Sequence, residues 1–412
     1  MISRPVSNYE RFFLDTNCMV QIAFKISDPK YIPSLVDDFI TKIDGFYIKS
    51  DGQNLILHNT KPDVHKIPSS ISSLPDAAEW IFQNHTPPID KALASIAVND
   101  EMVILSINHL CCDGKYISRI ISHIGKEEEE IKHKLPTTAF ELFEEKLKNY
   151  TKDDRQAYHD PNVTRLYSKR PDLIDPDDGI SRKLFFRIPI HELKNYDHER
   201  KVMNGLSENL WMSMILVASA YNNKLEKIGC SSTIDLRQFL PKGRDNWSVS
   251  NIFSNFPVYG RHPSTFNPYD ISIREIEKDL RNSLNEGIKN EEYLAHLKAS
   301  LEKKRYAPLP GMGVETSNSG MNLIRRPIID IFGTLNVKFK GAPGHITLIN
   351  SSCKSEENNL LGCQRLYRRN ELGDKEATII QKSIVFYLKN ISRNETIGHA
   401  LDQIQEFQES LK

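Results

Sequence analysis

The segment from Val103 to Ile124, which reads VILSINHLCCDGKYISRIISHI, decides the fold. Its first six residues, Val103 to Asn108, are mostly apolar and include β-branched side chains, a pattern that predicts a buried strand. From Tyr116 onward isoleucines recur at helical spacing, which predicts an amphipathic helix. His109 therefore stands at the end of a strand, and Asp113 follows in a tight strand-to-helix turn.

His109, Asp113 and Gly114 form the pattern His-x-x-x-Asp-Gly. A histidine at a strand end can face a cleft, and its near-neutral pKa suits it to take up a proton. Asp113 is too constrained by the backbone to meet the same ring, so we expect it to hold the turn through an ion pair with a distant arginine. Gly114 can adopt a positive φ where a turn needs it. The alternative is a histidine that only packs or lies on the surface.

This pattern, in its strand-to-helix setting, resembles the active-site motif of the His-x-x-x-Asp acyltransferases, which share the chloramphenicol acetyltransferase-like fold. Alcohol acetyltransferases, plant acyltransferases, polyketide-associated acyltransferases and the condensation domains of peptide synthetases belong to this group. The resemblance implies that His109 is the general base, with Asp113 as the second catalytic-motif residue and Gly114 in a structural turn. It also implies an α/β fold of two layered subdomains, mixed sheets covered by helices, and a tunnel between them.

Two further segments resemble parts of the same family. Arg4 to Phe13, RPVSNYERFF, is similar to the opening of its acyltransferases, and the spacing of Ser7 and Glu10 within it also predicts a capped helix. SNIFSNFPV, which begins at Ser250, is similar to the strand that lines the cleft opposite the histidine. The resemblance implies substrate contacts for two residues of that strand, Asn251 and Asn255. Backbone capping at an edge strand is the alternative.

Val314 to Gly320, VETSNSG, resembles a Ser-Asn-x-Gly turn at which acyltransferases of this fold meet the donor or the reacting centre. The resemblance implies substrate binding by Ser317 and Asn318, with the Ser317 hydroxyl available to stabilise an oxyanion. A polar turn without a ligand is the alternative. Arg237 lies in an Asp-Leu-Arg segment that resembles one in the same superfamily. We expect its role to be structural, and a direct contact with substrate is the alternative.

Some family features are absent. The chain lacks Asp-Phe-Gly-Trp-Gly, the second signature of plant acyltransferases, and Asn108 stands where condensation domains carry a second histidine before the catalytic one. We also expect no fused carrier or adenylation domain. These departures favour a stand-alone enzyme of the alcohol-acetyltransferase or polyketide-associated kind.

The chain has 412 residues, enough to bury a large core and to form two or three domains. Predicted strands and helices follow one another in an order typical of an α/β layered domain. We predict an N-terminal subdomain over residues 1–160, a linker rich in proline, aspartate and arginine over 161–182, and a C-terminal subdomain over 183–412. In the family fold, one strand of the second half crosses over to extend the first half's sheet.

Composition excludes several classes of function. Lysine plus arginine and aspartate plus glutamate number 54 each, so no overall charge favours nucleic acid. The six cysteines show no metal-ligand spacing, and adjacent Cys111 and Cys112 would strain a mutual disulfide. We therefore expect no metal site, and buried thiols in a reducing compartment. A cysteine nucleophile beside His109 is a weaker alternative.

No apolar run approaches the length of a transmembrane segment, and the N-terminus lacks the apolar core of a signal peptide. We expect a cytoplasmic protein. Together with the resemblance, this predicts an acyl-CoA-dependent acyltransferase that moves an acyl group from a thioester to a hydroxyl or amine. It would need no tightly bound cofactor, only acyl-CoA or another acyl thioester as co-substrate. Two alternatives stay open: a condensation-type enzyme with a carrier-protein partner, and a non-catalytic relative that binds a ligand or partner.

Overall fold

The computed structural model describes residues 2–125, 133–152, 160–170, 181–240, 250–302, 309–337, 345–356 and 358–412. The first half of the chain forms the following elements: β1 (Ser3–Pro5), α1 (Asn8–Asp15), β2 (Met19–Ile26), α2 (Ile32–Lys42), β3 (Ile48–Ser50), β4 (Asn54–Leu57), β5 (Val64–Lys66), α3 (Leu74–His85), β6 (Ala94–Val98), β7 (Met102–Asn108), α4 (Gly114–His123) and α5 (Ala139–Asn149).

The second half of the chain forms the remaining elements: β8 (Arg165–Leu166), β9 (Arg182–Pro189), β10 (Tyr196–Asp197), β11 (Val202–Met203), α6 (Leu206–Asn222), β12 (Gly229–Asp235), β13 (Phe253–Tyr259), α7 (Ile273–Lys289), α8 (Leu294–Leu301), β14 (Met312–Leu323), β15 (Ile328–Asn336), β16 (His345–Lys354), β17 (Asn359–Tyr367), α9 (Asp374–Asn390) and α10 (Ile397–Ser410).

The first large sheet has the strand order β15-β2-β7-β6-β5. Its central strand β7 is buried along its whole length, as the apolar run predicts, and pairs antiparallel with β2 and β6. Strand β15 comes from the second half of the chain and pairs antiparallel with β2. The crossover strand that the resemblance implies is therefore present, and it joins the two halves.

The second large sheet has the strand order β13-β12-β14-β16-β17-β9, with the short strand β8 paired to β14. The parallel pairs β12–β14 and β14–β16 bring β14 to its centre. Strand β8 falls inside the predicted linker over residues 161–182, of which 171–180 lie outside the described residues. The proposed subdomain limits at 160 and 183 stay predictions.

Helix α6 packs at the centre of the second half, because its sequence is apolar nearly all round. Every residue from Glu208 to Tyr221 is buried, and α6 contacts α7, α9 and α10. It is flanked by Gly205 and Asn223, both of which have a positive φ. The sheet and this helix layer give the second half the α/β character that the sequence predicts. Among the described helices, none combines the length and apolarity required to cross a bilayer.

Candidate active site

The connection between β7 and α4 carries the predicted motif. Strand β7 ends at Asn108, whose side chain accepts the Leu110 N–H at 3.0 Å and donates to the Phe13 carbonyl at 3.3 Å. The His109 N–H donates to the Cys18 carbonyl at 2.7 Å. These bonds fix the backbone of His109 at the end of the buried strand, where the sequence predicts it.

The imidazole of His109 lies between aromatic rings from both halves. It stacks on Phe13 of α1 with ring centroids 5.0 Å apart and planes inclined by 17°. Phe253 of β13 is tilted against it at 5.4 Å. Burial by these neighbours lowers the pKa of His109. A hydrogen-bonding contact with the residue's own backbone and the negative charge of Asp113 act in the opposite direction, but burial has the larger effect. The ring therefore stays neutral at a lower pH than an exposed histidine.

A cavity of about 450 Å³ opens at this imidazole and runs between the two halves. Its walls come from α1, the β7–α4 connection and β2 of the first half, the crossover strand β15, and the face of the second sheet. Nδ1 of His109 is buried and forms no hydrogen bond to another described residue, so Nε2 is the nitrogen that a ligand can reach. The predicted site residues that line the cavity are His109, Asp113, Gly114, Asn255, Ser317 and Asn318.

Asp113 anchors the motif to the second half of the chain. Nη1 of Arg237 lies 3.1 Å from Oδ1 and 2.8 Å from Oδ2 of its carboxylate. The same carboxylate caps α4 by accepting the N–H groups of Lys115 and Tyr116, and it also accepts the Ile252 N–H at 2.9 Å. The expected ion pair with a distant arginine is therefore confirmed, and the structural role expected of Arg237 is observed.

Gly114 is needed for a different reason from the positive φ that the turn suggested. Its φ is not in the left-handed region. A Cβ at this position would instead stand 2.7 Å from the Cβ of Ser319 on β14. Gly114 thus allows α4 of the first half to approach β14 of the second half closely.

Ser317 and Asn318 lie in a strand, so the predicted turn is wrong. The segment runs through β14, whose pairing with β16 shifts register between Asn318 and Met321. The amide oxygen of Asn318 accepts the Gly320 N–H at 3.0 Å and the Asn350 side chain at 2.6 Å, which supports this bulge. Ser317 lines the cavity, and its hydroxyl forms no hydrogen bond to a described residue, so it is available as a donor.

The two predicted asparagines differ in position. Asn255 lies on β13 and lines the cavity, and its Nδ2 donates to Oε2 of Glu315 at 2.9 Å. Asn251 precedes β13 and is not among the cavity-lining residues. Both polar atoms of its buried side chain have no partner among the described residues. The structure therefore brings Asn255, but not Asn251, to the site.

Sequence reasoning missed Phe13, Phe253 and Glu315. Phe13 and Phe253 lie in the segments 4–13 and 250–258 that resemble the family. The resemblance therefore identified these segments but did not indicate that the two rings contact His109. Glu315 is only 6% exposed, and it lines the cavity. A glutamate within a polar segment is normally expected on the surface, so no sequence signal separates this one from an ordinary exposed residue.

The cysteines near the motif are structural. Cys111 and Cys112 are buried free thiols, as expected, and burial raises the pKa of both. Cys18 lines the cavity, yet burial raises its pKa as well. A thiol with a raised pKa is a poor nucleophile because the thiolate is the reactive form. The described residues contain no group of three side chains suited to holding a metal ion.

Comparison with known proteins gives matches in structure only. No protein-family model and no curated protein matches the chain in sequence. The structure of the TRI3 trichothecene 15-O-acetyltransferase from Fusarium sporotrichioides aligns with 94% of this chain and 95% of its own chain, with 11% identity and a TM-score of 0.59. The structure of polyketide synthase associated protein 5 from Mycobacterium tuberculosis aligns with 94% of this chain and 99% of its own chain, with 12% identity and a TM-score of 0.58.

The starter condensation domain of rhizomide synthetase RzmA covers 97% of this chain and 98% of its own, with 11% identity and a TM-score of 0.54. These matches span almost the full length of both partners, and an acetyltransferase and a condensation domain are among them. At this identity they establish architecture rather than activity. The chain has the two-lobed α/β fold shared by chloramphenicol acetyltransferase-like acyltransferases and condensation domains.

Proposed function

We propose that the protein is an acyltransferase that moves an acyl group from acyl-CoA to a hydroxyl or amine acceptor. One observation carries the proposal: the imidazole of His109 faces a cavity that lies between the two halves of a fold shared with an acetyltransferase. The cavity has walls from both halves, so two substrates can meet at this ring. Holding them together would supply much of the rate acceleration.

His109 acts as the general base in this proposal. Nε2 accepts the proton of the acceptor as its oxygen or nitrogen attacks the thioester carbonyl. The imidazolium then returns that proton to the departing thiolate, so no covalent enzyme intermediate is needed. The lowered pKa of His109 supports this role because it keeps the ring in its neutral form, which can accept a proton, at working pH. Phe13 and Phe253 hold the ring in place.

Asp113 supports the reaction indirectly. Its carboxylate is occupied by Arg237 and by backbone N–H groups, so it fixes the motif rather than exchanging protons with substrate. Ser317 is the proposed oxyanion donor, because it lines the cavity and its hydroxyl forms no hydrogen bond to a described residue. Asn255 and Asn318 are proposed substrate-binding residues on the same sheet.

The donor is proposed to be acyl-CoA. Lys115 lines the cavity and provides positive charge suited to phosphate groups. A thioester linked through phosphopantetheine to a carrier protein has the same reactive group, and the structural similarity to a condensation domain supports this donor as the alternative. We further propose a cytoplasmic location, which the free, buried state of the six cysteines supports.

A mass-spectrometric screen tests the proposal. Purified protein is incubated with acetyl-CoA and longer acyl-CoA donors against alcohols, amines and sphingoid bases. We expect an acylated product with the wild type and with His123→Ala, and none with His109→Ala. His123 is a control histidine at the C-terminal end of α4, the helix that follows the motif. Turnover by His109→Ala at the wild-type rate would contradict the proposal.

Two other results would select the alternatives. Product formation only with a copurifying carrier protein would identify a condensation-type enzyme. Ligand binding without product from any donor would identify a non-catalytic relative that binds its ligand in the cavity.

A further inference from the structure

A polar cluster lies on the sheet face that lines the cavity. It consists of Ser231, Asn255, Glu315 and Thr347, and we refer to it as the Glu315 cluster. Ser231, Glu315 and Thr347 are register partners on the neighbouring strands β12, β14 and β16. Ser231 and Asn255 donate to Oε2 of Glu315 at 3.3 and 2.9 Å, and Thr347 donates to Oε1 at 3.0 Å. Asn255, Glu315 and Thr347 all line the cavity.

The cluster has a negative charge that the protein does not neutralise. All three donors to Glu315 are neutral, and no cationic side chain of the described residues forms an ion pair with it. Asp113 in the same cavity differs, because Arg237 neutralises it. A carboxylate can accept about four hydrogen bonds, so Glu315 retains capacity for one more donor. A buried carboxylate without a counter-charge is unfavourable, and a bound cation would relieve that cost.

Asn255 gives an independent indication of a ligand. The residue is 9% exposed, and its Oδ1 has no hydrogen-bond partner among the described residues. An unpaired buried acceptor costs roughly 1–3 kcal/mol relative to a paired one. Oδ1 of Asn255 and the carboxylate of Glu315 both belong to side chains that line the cavity. Both atoms are acceptors, so the complementary ligand group is a donor, and a positively charged donor fits best.

We propose that the Glu315 cluster binds a protonated amino group of the acyl acceptor. This rests on the proposed function. The reacting hydroxyl or amine stands at His109, and the ammonium group of the same molecule lies further along the second sheet. Phe253 lies 5.4 Å from the His109 ring, and Asn255 is two residues further along β13, about 7 Å on the same face of the strand. The substrate class is therefore an amino alcohol or a diamine whose two functional groups are separated by several bonds.

Binding measured without any acyl donor tests this assignment. The probes are 6-amino-1-hexanol and 1,6-hexanediol, which match in length and differ in charge, and binding is followed by calorimetry on the full chain. We expect the wild type to bind the amino alcohol roughly tenfold or more tightly than the diol, because a hydrogen bond to a charged group contributes more than a neutral one. Glu315→Gln, which keeps the side-chain shape, should abolish this preference.

Two controls separate the cluster from other causes. Asp279→Asn removes a carboxylate from an ion pair with Arg261 on the surface, and the preference should persist in that variant. His109→Ala should also keep it, because His109 acts in the chemical step. Equal binding of the two probes by the wild type, or an unchanged preference in Glu315→Gln, would overturn the proposal. Preferential amine binding without acyl transfer would support the cluster and refute the acyltransferase proposal.

If Glu315→Gln does not fold, the assignment is tested by comparing the affinities of two ligands for the wild type alone. N-(6-hydroxyhexyl)acetamide has the same chain as the amino alcohol but carries no charge. We expect it to bind at least tenfold more weakly than 6-amino-1-hexanol. Similar affinities for the two compounds would show that the cluster recognises hydrogen-bond donors without regard to charge, which would overturn the assignment.

Discussion

Replacing Arg237 by methionine tests how the motif is held in place. The side chains of Arg237 and Asp113 are 5% and 7% exposed, so their ion pair is almost fully buried. Removing one partner of a buried pair typically costs 3–5 kcal/mol, because the other charge is left without compensation. Asp113 would keep three backbone N–H donors, from Lys115, Tyr116 and Ile252. We therefore expect Arg237→Met to lower the free energy of unfolding by about 3 kcal/mol, at the low end of that range.

The assay is urea-induced unfolding at neutral pH, with Arg261→Met as the matched control. Arg261 pairs with Asp279 at 2.6 Å, but its side chain is 42% exposed, so the control should lose no more than about 1 kcal/mol. In a double-mutant cycle, Asp113→Asn and Arg237→Met should be non-additive by about 1–3 kcal/mol, because each substitution removes the same interaction. Additive effects, or an Arg237→Met variant as stable as Arg261→Met, would refute the reasoning.

Three other predictions concern the site and its surroundings. Gly114→Ala should destabilise the protein by about 1–3 kcal/mol, because the added Cβ would stand 2.7 Å from the Cβ of Ser319. The double variant Gly114→Ala/Ser319→Gly should recover most of this loss, and thermal unfolding of the single and double variants checks both expectations. Burial lowers the pKa of His109, so its neutral form persists below pH 6.5. We therefore expect kcat/KM to fall only below pH 6.5, and a fall that already begins above pH 6.5 would contradict this. The six buried thiols should react with a thiol reagent in urea but only slowly in the folded protein, and rapid labelling of folded protein would show that the burial is wrong.

The parts of the site that follow from local sequence could be predicted. The strand, the tight turn and the helix around His109 depend on side-chain periodicity within one short segment, and the structure reproduces all three. The need for an arginine partner for Asp113 could also be predicted, because a buried carboxylate requires compensation. Its identification as Arg237 depends on an approach between residues 124 positions apart, which no local pattern encodes.

The parts that depend on neighbouring strands were not predictable. Ser317 and Asn318 have the composition of a turn, but β12 and β16 flank their segment and supply strand hydrogen bonds. Tertiary context therefore overrides local preference at this point. Glu315 is buried for the same reason, because its donors Ser231 and Thr347 come from these two strands.

Chemical rescue of a histidine variant tests the central claim most directly. Thiol release from acyl-CoA in the presence of an active acceptor is measured with the wild type and with His109→Ala at equal concentrations of folded protein. The account predicts that His109→Ala loses about 10²–10⁴-fold in rate, as expected for a missing general base, and that added imidazole restores part of it. Thiol release by His109→Ala at the wild-type rate without imidazole would contradict the account.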